Sequence, residues 1–142
     1  SALYGRKTLT SLPSARKASQ TAYEMAGVKP ADIKAVEVHD CFTIAEIVAT
    51  EDLGFFAPGD GWKAAEDGLT TRQGSRPVNS SGGLKSKGHP VGASGVGQSV
   101  EIFHQLRGTA GARQLPGDPN IGMTHNVGGT GQTCVVNIYE RR

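Results

Sequence analysis

Ala35-Val36-Glu37-Val38-His39-Asp40-Cys41-Phe42-Thr43-Ile44-Ala45-Glu46-Ile47-Val48 is the stretch that decides the fold. Its first four residues form a short β-rich run. Thr43 and Glu46 then make a capping-box pattern ahead of Ile44, Ile47, Val48 and Leu53, and Gly54 closes the helix. A strand therefore passes directly into a helix, with Cys41 at the junction. On the N-terminal side, Ser14–Ala26 carries Ala15, Ala18, Ala22 and Met25 at helical spacing, with Gly27 and Pro30 as the stop. Residues 1–13 read as a lead-in segment over another surface, and a fourth strand either lies within residues 1–12 or is absent.

On the C-terminal side, residues 55–79 hold Pro58, Gly59, Gly61, Gly68, Gly74 and Pro77, which predicts a long irregular excursion. Val91–Arg107 reads as the longest helix, with small residues in its first turns and Val100, Ile102, Phe103 and Leu106 later. After a turn-rich connection, Ile121–His125 and Cys134–Tyr139 read as an antiparallel hairpin joined through Asn126-Val127-Gly128-Gly129-Thr130-Gly131. Three helices and at least three strands in this order predict a layered α/β domain.

Composition narrows the function. The 142 residues fit one domain, which at this size buries about 68–70% of its unfolded surface. Fifteen Lys and Arg against thirteen Asp and Glu leave a net charge of +2, and aromatic residues are few, so nucleic-acid binding gains little support. No apolar run reaches membrane-spanning length. Cys41 and Cys134 lack metal-ligand spacing, and no secretory segment is recognisable, which favours a reduced, cytoplasmic setting. Twenty glycines are about twice the usual ~7% and cluster at the motifs, as loops of close approach would require, although flexible linkers give the same count.

Two strings concentrate the chemistry-bearing groups: His39-Asp40-Cys41-Phe42 and Gly88-His89-Pro90-Val91-Gly92-Ala93-Ser94-Gly95. At a helix start, the positive end of the helix favours a thiolate at Cys41. A buried small hydrophobe is the commoner fate of a free cysteine. His39 precedes Cys41 by two residues, so on extended chain both side chains lean to one face. His89 stands between Gly88 and Pro90, free to polarise a carbonyl or to satisfy itself on a nearby backbone oxygen. His125 alternates with Ile121 and Met123 and reads equally as a core histidine or a secondary catalytic candidate. His104 and Cys134 read as structural.

Gly88–Gly95, preceded by Asn79-Ser80-Ser81-Gly82-Gly83, closely resembles the C-terminal half of thiolases. His39-Asp40-Cys41-Phe42 resembles the string of the sterol-carrier-protein and lipid-transfer-like thiolases at the place where other thiolases have Asn-Glu-Ala-Phe. The resemblance covers residues 14–142. It implies a layered α/β/α half with a mixed sheet, drawn from a family fold of five α/β/α/β/α layers built from two similar halves. It implies a C-terminal catalytic domain of an acyl-CoA C-acyltransferase, with thiolysis of 3-ketoacyl-CoA or Claisen condensation as the reaction. The substrate would be a coenzyme A thioester, with no covalently bound cofactor and no metal.

In that family His89 would donate to the thioester oxygen and His39 would share the same oxyanion site. Cys41 would move the α-proton, and Gly128 would offer its backbone N–H to the second oxyanion site. Donors of this kind are each worth about 3–4 kcal/mol. Most thiolases carry a Cys-x-Gly string where this chain has Asn126-Val127-Gly128, and in the sterol-carrier type the duty passes to the cysteine of the His-Asp-Cys-Phe string. The acyl-accepting cysteine belongs to the family's N-terminal half, which these 142 residues lack. The expected partners are that N-terminal half, a second copy in a homo-oligomer, and a small zinc-ribbon/OB-fold acyl-CoA-associated protein. A non-catalytic thiolase-like scaffold and a CoA-thioester carbon–carbon lyase are the alternatives.

Overall fold

A computed structural model describes residues 6–142. Its elements, in chain order, are α1 (Pro13–Ala26), β1 (Ala35–Val38), α2 (Thr43–Asp52), α3 (Gly61–Glu66), α4 (Gly83–Lys87), α5 (Ser94–Leu106), β2 (Ile121–Gly128) and β3 (Thr133–Glu140), with short 3-10 turns at Pro30–Asp32 and Gly111–Arg113. The strands form one mixed sheet in the order β1-β2-β3, with β1 parallel to β2 and β2 antiparallel to β3. Helices cover both faces, as the layered α/β expectation requires.

Strand alternation decides which helix each side chain meets. Val36 and Val38 of β1 share a face with Met123 and His125 of β2. That face builds the main core with Ile33, Ala49, Leu53 and Val78. Ala35 and Glu37 share the opposite face with Gly122 and Thr124 and lie under α5, where Ala35, Ile102, Leu106 and Leu115 form a smaller core. A side chain at Gly122 would meet Ile102 at 2.6 Å, so the missing Cβ lets α5 settle close on the sheet.

Several expectations need correction. The 55–79 excursion contains α3, and Val78 forms a single parallel bridge to Val36, which places a short fourth lane beside β1. Residues 6–12 hold no strand, and 1–5 lie outside the described residues. Ser11 and Leu12 instead bind the Asp52 carboxylate, each at 2.6 Å, which pins the lead-in to the end of α2. α5 begins at Ser94 rather than Val91, because Pro90–Ala93 close a turn on the Pro90 carbonyl, and α1 is one residue longer than α5. On α1 the buried positions are Ala15 and Ser19, with Tyr23 donating to the Leu53 carbonyl at 2.8 Å, and Met25 is 84% exposed. The Thr43–Glu46 capping box does not form: Phe42 is the N-cap, and the Glu46 carboxylate accepts from Asn79 at 2.8 Å instead.

Candidate active site

β1 and β2 run parallel, so their C-terminal ends emerge side by side, and the chemistry-bearing groups meet at that edge. Val38 is the last residue of β1, and His39 follows on the α5 side of the sheet. β2 continues three residues past His125, so Asn126 to Gly128 belong to the strand rather than to the connecting loop. His39 Nδ1 lies 2.6 Å from Asn126 Oδ1. The backbone N–H of His39 donates to His125 Nδ1 at 3.5 Å, a long contact.

His89 arrives from the loop between α4 and α5. Its ring stands edge-on to His39, with centroids 4.8 Å apart and planes at 79°. Its Nδ1 lies 2.9 Å from Ser94 Oγ in the first turn of α5. His39, Cys41, His89, Asn126 and Gly128 line one open cavity of about 590 Å³, with Phe42, Val91, Val127 and Val135 as its apolar wall. The four expected site residues are therefore brought together. Cys41 is half-buried, a free thiol one residue outside the N-cap of α2.

A polar lattice holds the loop that delivers His89. Asp40 receives the Leu84 N–H at 2.7 Å and the Lys85 N–H at 3.5 Å. Gly83 makes this approach possible: its φ is +64°, and a Cβ there would lie 2.1 Å from Asp40 Oδ2. Asn79, also at positive φ, receives the Val38 N–H at 2.8 Å on its side-chain oxygen and extends the lacing of β1. Glu37 is fully buried beneath the loop, bound by the Ser81 N–H and hydroxyl and by Lys87 at 3.4 Å. Burial pushes its carboxyl up, and the Ser81 and Lys87 contacts act against that rise.

Burial lowers the His39 imidazole, the Asn126 bond opposes this, and His89 adds to the lowering. The buried His125 is pushed down to about 4, chiefly by desolvation. Its Nε2 has no partner, and it lies outside the cavity lining, so it supports the His39 backbone from the core side. Cys134 faces α1 across a separate groove, and burial, with the Asp52 charge, pushes its thiol up to about 11. His104 bonds Thr109 at the end of α5. Among the described residues, no group of three or more His, Cys, Asp or Glu is placed to hold a metal ion, and no helix is long and apolar enough to cross a membrane. Sequence reasoning missed Asp40, Asn79 and Ser94 as supports. The glycines at 82, 83 and 95 were the available signal, since each marks a place where backbone crowds a side chain.

The family model described as thiolase C-terminal domain-like matches residues 1–141. The chain belongs to this family. An acetyl-CoA acetyltransferase of Methanothermobacter thermautotrophicus is 52% identical to this chain over 140 residues, which is 99% of the chain and 36% of that protein. Sterol carrier protein 2 of Bos taurus is 44% identical over 88% of the chain and 23% of its own length. Among solved structures, one described as an Ltp2-ChsH2(DUF35) aldolase superposes with a TM-score of 0.82 at 27% identity, covering 96% of this chain and 34% of that one. The domain thus spans about a third or less of the relatives it matches.

Proposed function

We propose that this domain is the C-terminal catalytic part of an acyl-CoA C-acyltransferase, acting on coenzyme A thioesters together with an N-terminal half that carries the acyl-accepting cysteine. The convergence of His39, His89 and Cys41 on one cavity at the parallel strand ends carries this reading. The two imidazoles flank the place for a thioester oxygen. Cys41 moves the α-proton of the bound thioester as general acid and base, and the backbone N–H of Gly128 serves the tetrahedral intermediate. Asn126, standing where a second thiol would act in most thiolases, leaves Cys41 with that duty.

A second surface supports the need for a companion half. Val96, Val100 and Phe103 recur along one face of α5, and each is about half exposed or more. With Leu106 and Tyr139 they line a largely apolar trough of about 470 Å³. Apolar patches of this kind mark association surfaces, and the N-terminal half or a second copy would cover this one. A small DUF35-type partner is also compatible, given the description of the aldolase relative.

Thiolysis of acetoacetyl-CoA by the domain joined to its N-terminal half tests the proposal. Cys41→Ala should abolish turnover, and near-normal rates would remove Cys41 from the mechanism. The aldolase relative favours one other reading, a carbon–carbon lyase acting on a CoA thioester. A lyase would release a free carbonyl product and keep its activity after the acyl-accepting cysteine is replaced, whereas an acyltransferase would lose it.

A further inference from the structure

The turn that follows β2 has little of its own to hold it. Gly128, Gly129 and Thr130 are exposed, and Gly129 and Gly131 both stand at positive φ, +60° and +87°. The Gly131 N–H closes the turn on the Gly128 carbonyl at 3.2 Å. Glycine offers no side chain to pack, so a turn of this composition samples many backbone states unless contacts from outside select one. Gly128 and Gly129 nonetheless line the cavity together with His39 and Cys41, where a set geometry is needed.

The outside contacts come from the lead-in segment. Ser14 Oγ donates to the Gly131 carbonyl at 2.8 Å, and the Arg6 guanidinium donates to the Thr130 carbonyl, so two consecutive carbonyls of the turn are tethered. Leu12 seats directly against Gly131: a Cβ there would stand 2.8 Å from Leu12 Cδ2 and 2.7 Å from Arg6 Nη2. Glycine at 131 is therefore required by space as well as by its φ.

The segment is fixed in turn on α2. Asp52, the buried last residue of that helix, accepts the Ser11 hydroxyl and the Leu12 N–H on its carboxylate, each at 2.6 Å. The Leu12 carbonyl accepts the Ala15 and Arg16 N–H groups at 2.9 and 3.2 Å, and Pro13 presets the first φ of α1, so Ser14 stands where Asp52 and Leu12 put it. α2 starts two residues after Cys41 and is a rod about 15 Å long. A continuous route thus runs from the Cys41 junction along α2 to Asp52, and through Leu12 and Ser14 to Gly131.

We propose that Ser14 and Asp52 are positioning residues: through Leu12 they clamp the Gly128–Gly131 turn to α2 and so hold the Gly128 N–H at a set place relative to Cys41. What Gly128 does there rests on the proposed acyl-CoA reading, whereas the clamp rests on geometry. A backbone donor stabilises a tetrahedral intermediate only if it already points where the oxyanion forms. A loosened turn therefore lowers kcat more than it raises KM, because the Gly128 N–H serves that intermediate rather than the bound thioester.

The test is backbone 15N relaxation of the 142-residue chain, with order parameters read at Gly128, Gly129 and Gly131. In the wild type they should stand near the ~0.85 of rigid backbone, and in Ser14→Ala they should fall toward ~0.6 while those of the 79–95 loop hold. Ser14→Thr keeps a hydroxyl and should restore the turn. Asp52→Ala, which removes the anchor of the lead-in rather than a bond to the turn, should loosen the same three glycines. In the chain joined to the proposed N-terminal half, Ser14→Ala should lower kcat for acetoacetyl-CoA thiolysis by about tenfold with KM little changed, a part of the ~10²–10³ that such a donor supplies, and Ser14→Thr should recover it. Wild-type order parameters in both alanine variants would overturn the clamp, and a loosened turn with kcat unchanged would overturn its positioning role. Relaxation is read whether or not the joined protein turns over, so a wild type without thiolysis would defeat the acyltransferase reading and leave the clamp to be judged on the turn.

Discussion

The two faces of the small sheet are built from different materials. Toward α2, Val36, Val38 and Met123 pack with Ile33, Ala49 and Leu53 in an apolar layer. Toward α5, the same strands present Ala35, Glu37, Gly122 and Thr124. There, polar side chains make specific bonds: Glu101 with Arg113 at 3.0 Å, Gln105 with Glu101 at 2.8 Å and with the Leu115 N–H at 2.9 Å, and Gln98 with the His125 carbonyl at 3.1 Å. Apolar burial is non-directional and supplies stability. Hydrogen bonds are directional, and a buried carboxylate such as Glu37 adds little net stability because its desolvation offsets its pairing. The larger apolar cluster toward α2 therefore supplies more of the sheet's cohesion than the smaller one under α5, while the buried polar groups of the α5 side fix where the 79–95 loop and His89 stand.

Leu53→Ala should break the apolar side most, with a loss of about 2–5 kcal/mol in urea unfolding. Leu53 is fully enclosed and does not line the cavity, so the His39 and His89 imidazole NMR spectra of the folded fraction should stay as in the wild type. A changed spectrum would show that the two faces are not separable.

Acid should come next. The His125 imidazole stands at about 4 in the native state against an ordinary value near 6.5. Between those values the unfolded chain binds more protons, so stability falls as pH drops from about 6.5 to about 4, by on the order of 3 kcal/mol. Glu37, Glu46 and Asp52, all raised by burial, act with the opposite sign: the stability they contribute is complete below their unfolded values and is lost as pH rises through their native ones. The difference between wild type and His125→Asn isolates the histidine, and equal pH slopes for both proteins would contradict the assignment.

Gly83→Ala should cost about 1–3 kcal/mol, because it combines a left-handed backbone with a collision against Asp40. Denaturant titration reads the loss, and a loosened His89 should accompany it. Gly95→Ala is the smallest in stability, since alanine gains up to about 1 kcal/mol of helix propensity at that position. Its added Cβ should still push Asn126 away from His39 and change the His39 ring spectrum. A large stability loss with an unchanged ring would reverse the division between the faces.

Much of this division was legible in the sequence wherever it rests on local periodicity. The β1 run, the hairpin and the junction holding Cys41 follow from alternation and turn residues alone. The start of α5 was misplaced because Val91, Gly92 and Ala93 fit a helix by pattern, while Pro90 holds them in a turn with its own carbonyl. Thr43 and Glu46 matched a cap that never forms because Asn79, thirty-three residues further on, takes the carboxylate. The partners of His39 and Asp40 are distant in the chain in the same way, and no local spacing announces Asn126 or Leu84. The motifs thus marked the site, and tertiary contacts decide how each ring is held.

The proposed function requires the cavity at the strand ends to remove and return a proton next to a thioester. Deuterium wash-in at the α-carbon of acetyl-CoA, followed by NMR with the domain joined to the proposed N-terminal half, measures that step without requiring a carbon–carbon bond to form or break. Exchange is expected in the wild type and should be lost in Cys41→Ala. Exchange that persists unchanged in Cys41→Ala would contradict it.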